Sequence, residues 1–225
     1  MTIVLGIDTA TSGCSAALIR DETCLAAIRE RMTRGQSEAL TPMIDDVIRR
    51  AGVTFGDIHA VAVTRGPGAF TGLRIGLAAA RALALAVGKP CLGIGTFEAL
   101  RAEAADAGAM AGIDALVVGV DSKREEQFVA VFGADGAPIG EPGALTPDAV
   151  AGRLTGLERL AVVGDAADVL ADALQSAFDV NRYSEIDVPD PAVVARLGLE
   201  ALSAPETAPA TPLYFRPPDV TLPKR

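Results

Sequence analysis

The chain alternates short apolar runs with longer segments in which apolar residues recur every three to four positions. Ile3 to Asp8, Gly13 to Arg20 and Thr23 to Met32 are apolar runs of strand length, and their alternation favours an antiparallel meander. Apolar residues at i, i+3, i+4 and i+7 between Leu40 and Ala51 then predict a helix, with Thr41-Pro42 as a favourable start. The chain therefore opens with three strands and a helix.

The pattern continues with strands and helices in alternation as far as residue 107. It predicts a strand at Ile58 to Thr64, a long apolar helix from Thr71 to Val87, a strand near Cys91 to Gly95, and a helix from Thr96 to about Ala107. The resulting order is βββαβαβα, and we assign residues 1–107 to a first lobe.

A second cycle of the same kind starts at Leu116. It predicts strands near Leu116 to Asp121, Gln127 to Gly133 and Ala137 to Glu141, a helix starting at Thr146-Pro147, a strand at Leu160 to Val163, and a helix from about Ala166 to Ala177. The two cycles open on Leu5-Gly6-Ile7-Asp8-Thr9 and Val118-Gly119-Val120-Asp121-Ser122, which share an apolar-Gly-apolar-Asp-hydroxyl pattern. We interpret the match as an internal duplication.

The remainder of the chain is assigned to a smaller second lobe, residues 108–225. A last helix is predicted to start at Asp190-Pro191, and a proline-rich extended tail follows it, with prolines at Pro205, Pro209, Pro212, Pro217, Pro218 and Pro223. Leu213, Tyr214 and Phe215 could anchor this tail to the surface. Packing on its own domain and binding of a partner are both compatible with its sequence.

Two stacked βββαβα lobes are the architecture of the actin-like (ribonuclease H-like) ATPases and sugar kinases. The predicted fold class is therefore α/β, with duplicated actin-like lobes and a reduced second lobe. In those proteins loops of both lobes hold phosphates, and the corresponding candidates here are Asp8, Thr9, Thr11, Ser12, Gly66 and Gly68. The second lobe has Ser122-Lys123-Arg124-Glu125-Glu126 where a glycine turn is expected, so the phosphate site is degenerate. A turn-stabilising role for Asp8 is equally compatible with the sequence.

The helix from Thr71 to Val87 is apolar nearly all round. Leu73, Leu77, Ala80 and Ala84 form a face bulky enough to seal a sheet, which leaves a second face of small residues to be covered by another helix or another protein. Together with the preceding helix it gives the candidate partner interface, namely Leu40, Met43, Ile44, Val47, Arg74, Ile75, Ala79, Ala82 and Ala86.

Composition narrows the classes of partner and compartment. The formal net charge of −9 and the lack of a basic cluster disfavour direct gripping of nucleic acid by this chain. Neither a membrane-length apolar run nor a signal sequence is recognisable, which predicts a cytoplasmic protein that makes no membrane contact. Cys14, Cys24 and Cys91 lack metal-type spacing and are predicted to be reduced thiols.

The sequence offers few residues for catalysis. His59 is the single histidine, so neither a Ser-His-Asp triad nor a histidine metal pair can be assembled. We predict no catalytic residues, no metal ligands and no activity of the chain alone.

Four segments carry a family resemblance that bears on function. Gly66 to Gly76 resembles the GPGSFTGLRIG signature of the TsaB (YeaZ) family, with Ala69 in place of the serine. Ile7 to Ser15, Leu40 to Ile44 and Pro212 to Arg216 are similar to three further family motifs. The resemblance spans the chain and implies an actin-like fold with a reduced second lobe.

The resemblance also implies a role and a set of partners. The catalytic relative TsaD carries a His-x-x-x-His metal motif on its first helix, where this chain has Gln36-Ser37-Glu38-Ala39-Leu40. The resemblance therefore implies a non-catalytic subunit that binds TsaD directly. With TsaE, this subunit would support the transfer of threonylcarbamoyl from threonylcarbamoyl-AMP to N6 of the adenosine beside the tRNA anticodon.

Several points stay open at this stage. Contact with tRNA is expected only through the complex. ATP or ADP is expected to bind only at an interface of the complex. A homodimer remains an alternative to the heterodimer with TsaD. The competing hypothesis is an independent enzyme, either an actin-like phosphotransferase or ATPase or a glycoprotease-like metallopeptidase.

Overall fold

Two five-stranded mixed sheets and six α-helices make up the part of the chain that the computed structural model describes, residues 1–204 and 207–216. The first half contains β1 (Ile3–Asp8), β2 (Gly13–Arg20), β3 (Thr23–Arg31), α1 (Gln36–Ala51), β4 (Ala60–Gly66), α2 (Phe70–Val87), β5 (Cys91–Gly95) and α3 (Thr96–Asp106). The second half contains β6 (Ala115–Val120), β7 (Gln127–Gly133), β8 (Gly143–Leu145), α4 (Pro147–Arg153), β9 (Arg159–Val163), α5 (Ala167–Leu174), β10 (Asp179–Arg182) and α6 (Pro191–Leu202).

The two sheets have the same topology. The first has the strand order β3-β2-β1-β4-β5, and the second has β8-β7-β6-β9-β10. In each sheet the central strand pairs antiparallel with the second strand of the meander and parallel with the strand that follows the first helix. Helices α4 and α5 have 7 and 8 residues, against 16 and 18 in α1 and α2. The predicted fold of duplicated lobes with a reduced second lobe is therefore confirmed.

The helices form layers around these sheets. Helices α1 and α2 cover one face of the first sheet, and α4 and α5 cover the corresponding face of the second. Helix α3 contributes to a core shared with the second sheet, while α6 packs on the other face of the first sheet. The central layer between the sheets thus consists of α3 and α6.

Helix α6 corrects part of the predicted division at residue 107. The sequence assigned this helix to the second lobe, but Val194 and Ala195 are buried against Val4 and Ala62 of the first sheet. The close approach of α6 requires glycine at position 6 of β1, because a Cβ there would overlap the Pro191 carbonyl oxygen. The chain therefore returns to the first sheet after completing the second.

The five-residue match that suggested duplication is not a structural equivalence. Leu5 and Ile7 face α1 and α2, whereas Val118 and Val120 face α3, on the side of the second sheet opposite α4 and α5. Because side chains alternate along a strand, an alignment displaced by one residue exchanges the two faces. The architecture repeats, but the matched residues do not.

Several element boundaries differ from the prediction. Helix α1 starts at Gln36 after Gly35, so Pro42 lies inside the helix rather than in its first turn. The third strand of the second meander is at β8 rather than Ala137 to Glu141, and β10 was not predicted. The caps at Thr146 and Asp190 are confirmed, since their side chains accept hydrogen bonds from the backbone N–H groups of Ala149 and Ala192.

The C-terminal segment 207–216 packs on its own protein. The Ala208 carbonyl accepts from Gly93 N–H at 3.0 Å, and Leu213 N–H donates to the Arg65 carbonyl at 2.7 Å. The Phe215 ring then lies 5.8 Å from Phe97 and 6.1 Å from the ring of Phe128 in the second lobe. The segment therefore contacts both lobes. The predicted tail residues Pro205, Pro217, Pro218 and Pro223 lie outside the described residues.

One helix among the described residues, α2, is long and apolar enough to cross a membrane by length and composition alone. Core helices of soluble proteins meet the same criterion, and Leu73, Leu77, Ala80 and Ala84 of α2 are buried within this chain. The composition of α2 is therefore weak evidence for a membrane span.

Candidate partner surface and interlobe cleft

The loop after β1 uses its polar groups within the chain. Asp8 is fully buried; one carboxylate oxygen accepts from the Thr64 hydroxyl at 2.6 Å and from Ala10 N–H at 3.1 Å, while its other oxygen has no partner. Burial raises the pKa of Asp8 to about 7, against the lowering effect of these two hydrogen bonds. The Thr9 hydroxyl donates to the Gly72 carbonyl at 2.7 Å. Asp8 and Thr9 therefore fix the loop against β4 and α2.

The glycines of the segment between β4 and α2 permit close packing of two loops. Ala69 N–H donates to the Ala10 carbonyl at 2.7 Å, and a Cβ on Gly68 would overlap that same carbonyl oxygen. A Cβ on Gly72 would likewise overlap the Thr9 carbonyl oxygen. A Cβ on Gly66, which has φ +122°, would overlap the Leu213 carbonyl oxygen. The space beside these glycines is filled by the protein's own backbone.

The predicted phosphate-loop residues therefore come together, but as a packed junction. The opening beside Thr11 and Ser12 has a volume of about 50 Å³. This opening is much smaller than the volume of about 300 to 1,000 Å³ that is usual for small-molecule sites.

Asp165 joins the first loops of the two lobes, and the sequence interpretation missed it. Its carboxylate accepts from the Ser12 N–H at 3.1 Å, from the Ser12 hydroxyl at 2.8 Å and from Asp121 N–H at 2.8 Å. Burial raises the pKa of Asp165, against these hydrogen bonds, which lower it. A signal was present, because a glycine stands at the end of the corresponding strand in each lobe: Gly66 ends β4, and Gly164-Asp165 comes directly after β9.

A larger cleft of about 590 Å³ opens between the start of α2, the loop after β6 and the C-terminal segment. Phe70, Phe128, Tyr214 and Phe215 line it, and so do the cationic residues Lys123, Arg124 and Arg216. Lys123 contacts the Asp121 carboxylate at 2.6 Å, and Arg216 pairs with Glu126. This cleft is the larger of the two openings described here, and it lies beside the packed loop junction.

The surface of α2 that faces away from the sheet carries small and apolar side chains. Leu85 is 84% exposed. Arg74, Ala78, Arg81, Ala82 and Ala86 are also exposed, whereas Ile75 and Ala79 are half-buried against the core beneath α1 and α2. We call the residues Arg74, Ala78, Arg81, Ala82, Leu85 and Ala86 the α2 surface. The predicted sheet-covering face, Leu73, Leu77, Ala80 and Ala84, is buried as expected. Of the residues predicted to be exposed, Ala82 and Ala86 are exposed but Ile75 and Ala79 are not, and Ala78 and Leu85 were overlooked.

The four α1 residues named as interface candidates do not reach a surface. Leu40, Met43, Ile44 and Val47 are buried in the core of the first lobe. Their 3.6-residue periodicity reflects packing on the protein's own sheet, so the assignment of these side chains to a partner contact is wrong.

The described residues contain no group of three or more His, Cys, Asp and Glu side chains that could hold a metal ion. His59 is exposed, and its Nδ1 accepts a hydrogen bond from Ile3 N–H at 3.1 Å. The Gln36 amide, at the position of the TsaD metal motif, donates to the Met32 carbonyl at 3.1 Å. Burial raises the pKa of the Cys14 thiol to about 12, which keeps it protonated.

Comparison of the structure with solved structures identifies the class of protein. YeaZ from Pseudomonas aeruginosa superposes with a TM-score of 0.78 at 24% identity, covering 95% of this chain and 100% of that one. A ROK hexokinase from Thermus thermophilus gives 0.52 at 15% identity, covering 88% and 100%. The protein therefore has the actin-like α/β fold that these two proteins share.

Sequence comparison identifies the family. A tRNA threonylcarbamoyladenosine biosynthesis protein TsaB from Escherichia coli is 36% identical over 132 residues, which are 59% of this chain and 55% of that protein. An uncharacterised Mycobacterium tuberculosis protein is 34% identical over 97% of this chain and 94% of its own length. The family model for TsaD, tRNA N6-adenosine threonylcarbamoyltransferase, matches residues 28–135. The chain belongs to the TsaB (YeaZ) family, and it spans about half the length of the relatives named TsaB.

Proposed function

We propose that this chain is a non-catalytic subunit in tRNA threonylcarbamoyladenosine biosynthesis. It binds a TsaD protein directly, works with TsaE, and acts in the cytoplasm. Within this assembly the transfer of threonylcarbamoyl from threonylcarbamoyl-AMP to N6 of adenosine takes place on TsaD. The support for this pathway is membership of a family whose relatives are named tRNA threonylcarbamoyladenosine biosynthesis protein TsaB.

The α2 surface is the observation that carries the partner role. Its apolar centre at Ala82, Leu85 and Ala86 would gain stabilisation from being covered, at roughly 25 cal/mol per Å² of apolar area. Small side chains allow close approach of a second helix, and Arg74 and Arg81 supply the charged rim that is usual for interfaces. A second copy of this chain could cover the same surface, so a homodimer is the alternative occupant.

The polar groups that an independent enzyme would need are used internally. Asp8 and Thr9 bond to the chain's own backbone and hydroxyl groups, and the opening beside the loop junction has a volume of only about 50 Å³. The formal charge of −9 also disfavours direct binding of tRNA. These features support a role in which TsaD provides the chemistry and the RNA contacts of the complex.

The test is a reconstituted modification of tRNA with purified TsaD, TsaE, threonylcarbamoyl-AMP and ATP. Full modification is expected only when this chain is present, and the chain alone is expected to give none. ATP hydrolysis or peptide cleavage by the chain alone, lost on Asp8→Ala, would instead establish an independent enzyme. Unchanged modification when the chain is omitted would overturn the proposed role.

A further inference from the structure

We propose that an acidic side chain of TsaD binds this chain at the start of α2, on the guanidinium group of Arg74. The inference rests on the proposed function and adds the chemistry by which the partner is recognised. Two aromatic residues hold Arg74 in place, Phe70 of α2 and Tyr214 of the C-terminal segment. The C-terminal segment therefore belongs to the partner surface.

Contacts on two sides fix the position of the Arg74 side chain. Its guanidinium carbon lies 3.7 Å from the centre of the Phe70 ring, and its Nε donates to the Tyr214 hydroxyl at 3.2 Å. The centres of the Phe70 and Tyr214 rings are 5.2 Å apart. A guanidinium group held in this way presents its terminal N–H groups in one plane, which matches the two oxygens of a carboxylate. Less side-chain freedom is then lost when a carboxylate binds.

The neighbours of Tyr214 anchor the C-terminal segment on both sides of this contact. Leu213 N–H donates to the Arg65 carbonyl at 2.7 Å, and the Phe215 ring lies 5.8 Å from the ring of Phe97 in α3. Tyr214 is therefore held beside α2 by the backbone before it and by the aromatic contact after it.

The two aromatic rings extend the α2 surface beyond the helix itself. Phe70 is 39% exposed and Tyr214 is 37% exposed. With Leu85 they make up three of the six large apolar side chains that are exposed among the described residues. Because the rings lie on the far side of Arg74 from Leu85, Arg74 is flanked by exposed apolar groups in both directions along the surface. Arginine and tyrosine in such surroundings are typical of the residues that dominate binding energy at interfaces.

The distribution of charge favours an acidic partner at this place. Neither Arg74 nor Arg81 forms an ion pair with a described residue, and the α2 surface contains no carboxylate. Residues 1–107 contain eleven acidic and eleven basic side chains, so the net charge of −9 belongs to residues 108–225. An acidic surface that approaches α2 therefore meets unpaired arginines on the half of the chain that has no net negative charge.

A second copy of this chain fits the same surface less well. Its α2 surface also carries arginines and no carboxylate, so contact between two α2 surfaces leaves Arg74 without an acidic partner. Like charges brought together at an interface disfavour association. TsaD is therefore the occupant that we assign to the Arg74 site.

Calorimetric titration of the full chain with purified TsaD, at low and at high salt concentration, tests the inference. Arg74→Ala should weaken association about tenfold or more at low salt, because it removes a charge-assisted contact. The affinity of the unchanged chain should fall as the salt concentration rises, and that of the Arg74→Ala variant should fall less. Tyr214→Phe keeps the ring and removes the acceptor of the Arg74 hydrogen bond, so it should weaken association about threefold.

Arg159→Ala is the matched control, since it removes the same charge from an exposed ion pair in the second lobe. It should bind TsaD as the unchanged chain does at both salt concentrations, and a melting curve on each variant checks folding. Full TsaD affinity in a folded Arg74→Ala or Tyr214→Phe variant, or an unchanged salt dependence in Arg74→Ala, would overturn this inference and leave the proposed function standing.

Two further outcomes separate the inference from its alternatives. If Arg74→Ala reduces self-association in sedimentation while TsaD affinity is unchanged, the site joins two copies of this chain and the inference is wrong. If the unchanged chain does not bind TsaD at all, the proposed function fails and the inference fails with it.

Discussion

The Ser12 hydroxyl donates a 2.8 Å hydrogen bond to the Asp165 carboxylate, and this contact connects the first loops of the two lobes. The other Asp165 oxygen accepts from the backbone of Asp121 in the second lobe. In an open actin-like cleft the corresponding loops face a ligand across a gap. Here a side chain of the protein closes the gap, so the lobes are held together without a nucleotide at that position.

Asp165→Ala should therefore destabilise the protein by about 2 to 4 kcal/mol, because it leaves several partly buried donors without an acceptor. The measurement is urea unfolding followed by circular dichroism. Asp45→Ala, an exposed carboxylate of α1, should change the free energy of unfolding by less than about 0.5 kcal/mol. Equal effects of the two substitutions would show that the Asp165 contacts do not hold the lobes together.

The buried carboxyl of Asp8 should make stability depend on pH between about 4 and 7. Its folded pKa is raised from 3.8 to about 7, so in this window the folded state keeps a proton that the unfolded state releases. Stability from this group therefore falls as the pH rises through the window and levels off above it, by on the order of 4 kcal/mol at about 1.4 kcal/mol per pKa unit.

Asp8→Asn removes this ionisation while keeping a polar side chain of similar size. The difference in unfolding free energy between the variant and the unchanged chain should shift in favour of the variant from pH 4 to pH 7 and stay constant above pH 8. The charge of Asp165 is a smaller cause of the raised Asp8 pKa, so the comparison reports the ionisation of Asp8 together with its coupling to Asp165. A constant difference across the whole range would mean that Asp8 ionises normally.

Gly68 should be intolerant of even one added carbon. Gly68→Ala places a Cβ on the Ala10 carbonyl oxygen, in a junction where both partners are backbone, and should cost about 1 to 3 kcal/mol. Gly152→Ala is the matched control, since nothing lies within 4 Å of an added Cβ in α4, and it should be neutral or stabilising by up to about 1 kcal/mol. Chemical denaturation of both variants measures the contrast, and equal stability would show that the two loops can separate freely.

Much of the fold could be predicted from the spacing of apolar residues, because this spacing is about 3.6 residues in a helix and two residues in a half-buried strand. The same signal misled at α1, since Leu40, Met43, Ile44 and Val47 look alike whether they cover the protein's own sheet or a partner. The exposure of Leu85 was not predicted, because α2 is apolar nearly all round and its sequence does not show which of its apolar residues are exposed.

The long-range contacts were beyond the local sequence. The return of α6 to the first sheet and the bond between Asp165 and Ser12 each join residues more than a hundred positions apart. The glycine signature was recognised, yet its physical reason is the close approach of the Ala10 and Leu213 carbonyls, which only the tertiary structure supplies. Asp8 accepts from the Ala10 N–H two residues further on, as the turn-stabilising alternative predicts, while nucleotide contact by Asp8 stays a prediction.

The α2 surface gives the last prediction, which concerns association with TsaD. Ala82→Glu would bury an unpaired carboxylate at the centre of a helical contact and should weaken association by several kcal/mol, on the order of 3 or more. Ala82 is exposed in the isolated chain, so the melting temperature should change little. Calorimetric titration against TsaD, with a melting curve for each variant, measures both effects.

Ala173→Glu, an exposed helical alanine of α5 on the second lobe, is the matched control and should leave association intact. Leu85→Glu tests the same surface independently and should weaken association as well. Leu85 is 84% exposed, so the substitution should have little effect on the stability of the free chain. If both α2 variants fold and still bind TsaD normally, the partner contacts another surface. If they lose self-association in sedimentation while TsaD binding persists, the α2 surface serves a homodimer.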